Sequence, residues 1–141
     1  MRTTGNTVYQ SYLDSFHCLT SEEPQHLEGV YEKVEDTCRL VIMLKFENKA
    51  LLILADTDHD TAVVECEDAH SLDLDGYTSI NTLLPWRGLL GQVFGWGWLT
   101  INQQGYPDGV LLSFDGLVPQ ILLFVAASSL HVHVVSEASS T

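Results

Sequence analysis

Basic residues are scarce in this 141-residue chain. Six Lys and Arg stand against nineteen Asp and Glu, a formal net charge of −13 at pH 7 with histidine neutral. Beyond Arg87 there is no Lys or Arg at all. Phosphate recognition needs clustered cations, so DNA and RNA are not expected partners, and an anionic membrane surface is repelled in the same way. Long apolar runs are also missing. The longest, residues 121–127, falls far short of the roughly 20 residues of a bilayer-spanning helix. Cysteine is confined to Cys18, Cys38 and Cys66, an odd number without CxxC spacing, which argues against a disulfide framework and against a zinc site. Reduced thiols, and the lack of a charged-then-apolar leader in residues 1–10, make the cytoplasm the expected location.

Catalytic signatures are absent as well. No GxSxG elbow occurs, and none of the three cysteines sits in a nucleophile motif. The glycine-rich stretch 91–97 (GQVFGWG) lacks the Lys-Ser/Thr of a phosphate-binding loop and no helix is expected after it. With nineteen carboxylates, any chosen acid–base pair is arbitrary. The sequence therefore points to a protein that is not an enzyme and needs no cofactor.

What the chain does have is a domain's worth of apolar residues, 45% of the total, enough for a core without disulfides or metal. Val8, Tyr12, Leu13, Phe16 and Leu19 recur at helical spacing, which predicts a short helix over 7–19 that ends in the polar stretch 20–26. From Leu27 the period shifts toward two. Val30, Glu32 and Val34 mark a strand, followed by runs at 38–46, 50–55 and 61–66 separated by polar turns, the pattern of an antiparallel meander. After a helical turn around Pro85 and Trp86, residues 93–102 read as a central buried strand, because both faces are apolar or glycine; Trp96 and Trp98 are then core, and Trp86 is open. Gly95 and Gly97 leave room for a close neighbour. A turn at 105–109 and strands at 110–114, 120–126 and 130–135 complete a second meander. The fold class is α+β, mostly antiparallel β-sheet in two meanders with one or two short helices. It forms a single domain over 7–135, with flexible polar ends at 1–6 and 136–141.

The acids are unevenly placed. Between 56 and 75 lie Asp56, Asp58, Asp60, Glu65, Glu67, Asp68, Asp73 and Asp75, with no Lys or Arg among them. Such a field attracts a cation or a basic protein. Asp56, Asp58, Asp60 and Glu67 fall at positions one, three, five and twelve of a calcium loop, but Thr61 stands where that loop wants glycine, and the flanks read as strands. A solvated turn is the plainer reading. His131 and His133 share one strand face, and no third ligand accompanies them. A metal- or small-ligand-binding domain is thus the alternative to a protein-binding role.

Pro85-Trp86, Leu90-Gly91, Trp96-Gly97-Trp98, the run Asn102-Gln103-Gln104-Gly105-Tyr106-Pro107-Asp108-Gly109 and Ala127-Ser128-Ser129-Leu130 resemble a group of small uncharacterised bacterial proteins. In size and charge the chain also resembles the immunity proteins encoded beside secreted bacterial toxins. That likeness implies a basic toxin domain as partner, met through charge complementarity. The contact is expected at the eight acids of 56–75, with Gln104, Tyr106 and Asp108 as a second patch.

Overall fold

The computed structural model describes residues 3–21 and 23–136; residues 1, 2, 22 and 137–141, which include part of both polar ends, lie outside the described residues. Helix α1 spans Thr3–Thr20, so it starts earlier than its apolar spacing shows. Phe16 and Leu19 are its buried face, and Pro24 shortly after bars its continuation.

Five strands form the first sheet: β1 (Leu27–Glu35), β2 (Cys38–Phe46), β3 (Lys49–Asp56), β4 (Thr61–Asp68) and the two-residue β5 (Thr78–Ser79), in the order β4-β3-β2-β1-β5. The second sheet is a four-stranded meander of β6 (Phe94–Ile101), β7 (Pro107–Phe114), β8 (Ile121–Ala126) and β9 (Ser129–Val134). All the pairings are antiparallel, so the α+β reading holds. One core lies between the sheets and beneath α1, with Ile42, Leu44, Phe46, Leu51 and Ile53 from the first sheet meeting Val110, Leu112, Ile121 and Leu123 from the second. At its centre Phe46 touches Phe94 edge-on at 5.9 Å between centroids and stacks on Phe114 at 6.5 Å.

The connection from β4 to β5 has to cross the whole first sheet, because those strands lie at opposite edges. It does so over the outer face. There Val41, Met43, Ala50 and Leu52 form a second apolar cluster, and Leu72 and Tyr77 pack onto it. Residues 69–77 are therefore a strap. The Ala69 N–H donates to the Asn48 carbonyl at its start, and the Lys33 ammonium sits 4.7 Å from the Tyr77 ring centroid at its end. Burial, then the charges of Glu67 and Glu65, raise the Tyr77 pKa.

Strand β6 is an edge strand, not a central one. Its two apolar faces have different fates. A bulge between Phe94 and Trp96 changes the alternation, so that Phe94 and Leu99 both reach the core while Trp96 is 53% exposed. Phe16 fills the space over Gly97, and the Gly116 carbonyl fills the space over Gly95. Trp98 is only partly buried, and it is Trp86 that is core, at 2% exposure. Hydropathy reports that a strand is apolar without reporting which side is covered.

Tight turns join the strands, and several force ordinary residues into the left-handed region. At the β1–β2 turn, Thr37 has φ 66°. A β-branched residue is strained there, so Thr37→Gly is expected to stabilise the fold by about 1 kcal/mol. A higher midpoint of urea unfolding at unchanged slope is the readout, and an unchanged midpoint counts against the strain.

Cys66, on β4, is half-buried, and burial followed by its hydrogen bond with Cys18 pushes its thiol up to about 12. At pH 8 its thiolate fraction is then on the order of 10⁻⁴. Timed alkylation of the native protein, read by mass spectrometry, should find Cys66 modified at least about 100-fold more slowly than in urea. Equal rates in the two conditions contradict the shift.

Candidate partner-binding site

The β3–β4 hairpin folds back at 56–60 because Asp60 adopts a left-handed φ of 52° and Asp56 organises the turn with its own side chain. Asp56 Oδ1 accepts from the Asp58 N–H at 3.1 Å, and Oδ2 meets His59 Nδ1 at 3.0 Å. The His59 bond is the main reason the Asp56 carboxyl lies below the usual aspartate range. Asp60 Oδ1 accepts from the Ser128 N–H at 3.1 Å, which ties this turn to the β8–β9 turn.

The β6–β7 turn lies at 102–106, earlier than the Pro-Asp-Gly signal suggests. Pro107 and Asp108 already belong to β7, and Gly105 takes the positive φ of 89°. Asn102 clamps the turn. Its side-chain oxygen accepts from the Gln104 and Tyr106 N–H groups at 2.9 and 3.2 Å, while its backbone N–H donates to the Tyr106 carbonyl at 2.9 Å. From α1, the Tyr9 hydroxyl donates to the Gly105 carbonyl at 3.0 Å. Burial, then Asp56 and Tyr9, raise the nearby Tyr12 pKa.

These two turns meet. His59, Asp60, Asn102, Gln103, Gln104 and Tyr106 line one open cleft of about 570 Å³ at the end of the strands. Tyr106 is 50% exposed beside it. Of the residues nominated from sequence, Asp60, Gln104 and Tyr106 line the cleft, and Asp56 and Asp58 share the turn that forms one wall. Asn102 and Gln103 belong to the nominated 102–108 turn without being singled out in it, and His59 was not nominated. Polar loop residues of this kind carry no periodic signal, and only folding shows that they converge.

The other nominated acids do not gather there. Asp108 is held within the β6–β7 hairpin, accepting from Thr100 Oγ1 at 3.0 Å. Glu65 and Glu67 stand opposite Leu52 and Ala50, on the strap side of β4. Asp68 ends that strand about 23 Å from Thr61, by the rise of an extended chain. Its carboxylate caps a single 3₁₀ turn, Ala69–Ser71, by accepting from the His70 N–H. Asp73 accepts from the Asp75 N–H on the strap itself at 3.0 Å. The acidic stretch 56–75 is therefore two surfaces, a strand-end turn and a strapped sheet face.

Among the described residues no cluster of three or more His, Cys, Asp or Glu is placed to hold a metal ion. His131 and His133 are both exposed, and His131 stacks on Phe124 at 5.2 Å. No helix among the described residues is long and apolar enough to cross a membrane.

Residues 10–139 match a single family of unknown function, DUF6334. The chain belongs to that family. No curated protein and no solved structure matches it. In this member of DUF6334 the matched residues include both sheets and both turns of the cleft, so the candidate site lies inside the family's own extent.

Proposed function

We propose that this DUF6334 protein is an acidic, cytoplasmic immunity protein that binds and neutralises a cognate basic toxin domain at the strand-end cleft. The observation that carries the reading is the meeting of two turns. The acidic 56–60 turn and the Asn102-clamped 102–106 turn, nominated separately from sequence, form the two walls of one cleft. Carboxylates on a turn steer a basic partner in, and an exposed tyrosine beside them supplies a contact of the kind that dominates interface energies. Both turns are held by hydrogen bonds, so little ordering accompanies binding. The −13 charge supports fast association with a cationic surface.

The test is co-expression with the product of the neighbouring gene, followed by calorimetry. Binding with rescue of growth is expected, and the affinity should fall as salt is raised. Asp58→Lys combined with Tyr106→Ala alters two exposed side chains and should weaken binding at least about 100-fold, which is 2.7 kcal/mol or more. If the neighbour's product neither binds nor is neutralised, the immunity reading is wrong. If it binds and the double variant binds equally well, the cleft is the wrong surface.

A further inference from the structure

The outward face of the second sheet has no charged side chain across its middle, which is unusual on a chain carrying −13. Antiparallel register sets out its rows. Trp98 lies opposite Leu111, Leu111 opposite Leu122, and Leu122 opposite His133. In the next row Thr100 faces Gly109, Gly109 faces Phe124, and Phe124 faces His131. Trp96, on the same face, is half exposed. Asp108 is the one carboxylate in these four strands, and it sits at the rim, accepting from Thr100. The core takes the opposite faces of the strands, and Trp98, Leu111, Leu122 and Phe124 are all left only partly buried.

We infer that this face binds a second copy of the same chain, face to face about a two-fold axis. Charge decides the occupant. The face has a single carboxylate, Asp108 at its rim and already bonded to Thr100, to draw in a basic partner, and set against any acidic part of another copy it gains no complementary charge. Paired with itself, it brings together two aromatic and aliphatic surfaces with no Lys, Arg, Asp or Glu across their middle, the self-complementary arrangement a two-fold contact requires. The strapped, acidic sheets then become the outermost layers. With about 10 Å between stacked sheets, those layers lie about 30 Å apart, several Debye lengths at physiological salt, so their mutual repulsion is screened.

Area sets the strength. Four strands about 4.8 Å apart and up to eight residues long give a footprint of about 450 Å² per copy, near 900 Å² for the pair. That is the size of a weak, reversible interface, so a dissociation constant in the micromolar range is expected.

Sedimentation equilibrium of the full chain from about 1 μM to about 500 μM tests this range. The weight-average mass should climb from that of the monomer toward twice that value, with tryptophan emission moving to the blue as Trp96 and Trp98 are covered. Trp96→Glu and Leu122→Glu should each raise the dissociation constant at least tenfold while leaving the circular dichroism spectrum unchanged. A wild-type chain that stays monomeric with constant emission overturns the inference. So does a dimer that persists at unchanged strength in both folded variants. Should either variant fail to fold, the wild-type mass and emission decide the matter by themselves.

Discussion

Phe46→Ala should lower folding stability by about 4 kcal/mol, the largest effect expected of any single core truncation here. Phe46 is fully buried and is one of four phenylalanines that hold the two sheets and the helix together. It meets Phe94 edge-on and Phe114 in a stack, while Phe94 in turn stacks on Phe16 of α1 at 6.4 Å. Truncation removes the apolar area, leaves a cavity, and cuts the aromatic contacts at the point where both sheets meet. Surrounding strands cannot close the gap, because their spacing is fixed by ladder hydrogen bonds. For a chain of this length the melting temperature should drop by roughly 10–15 °C. Differential scanning calorimetry and urea titration provide the measurement. A loss below about 1 kcal/mol would mean the cluster can collapse around the gap, which close packing argues against.

Gly95→Ala is the second, and its cause is backbone rather than side chain. A Cβ at this position would lie 2.0 Å from the Gly116 carbonyl oxygen and 2.7 Å from Ser113 Oγ. Real Cβ atoms do not approach backbone so closely. The bulge in β6 therefore has to open, or the 115–120 loop has to move, and either one disturbs the Ser113 hydroxyl's bond to the Gly116 carbonyl at 2.7 Å. A loss of about 3 kcal/mol is expected, with Gly88→Ala as the control. Gly88 has open space where its Cβ would go and should change stability by less than about 0.5 kcal/mol. If the two variants melt together, the close approach at Gly95 is not what holds the bulge.

Much of the fold was legible because the strands announce themselves. The run at 38–46 is β2 to the residue, and the neighbouring strands follow from apolar runs broken by Glu-Asn and by Asp-rich turns. Strand β5 was invisible. Thr78 and Ser79 have no apolar pattern of their own and become a strand only by pairing with Tyr31 and Glu32. The turn at 102–106 was read late in the sequence because Pro-Asp-Gly is a strong local signal, whereas the side chain of Asn102 and the bulge beside Ile101 decide the geometry. Trp96, expected in the core, is half exposed, and Trp86, left open by the sequence, is buried, for a related reason. Apolarity alone cannot separate a core residue from one on an uncovered sheet face. Of the candidate site, sequence supplied the two turns but not their meeting, which is set by how two sheets pack.

The strap over the first sheet has a consequence for the order in which the protein can be made. Synthesis finishes β1 to β4 before the strap, so Val41, Met43, Ala50 and Leu52 wait uncovered until Leu72 and Tyr77 emerge. A nascent chain halted near Asp68 displays that face as an adhesive surface. The residues that follow bring both the apolar pins and the carboxylates of Asp73 and Asp75, which cover the face and charge its lid in one stretch of chain. Charge placed over an apolar sheet face in this way is the pattern that disfavours self-association of such a face.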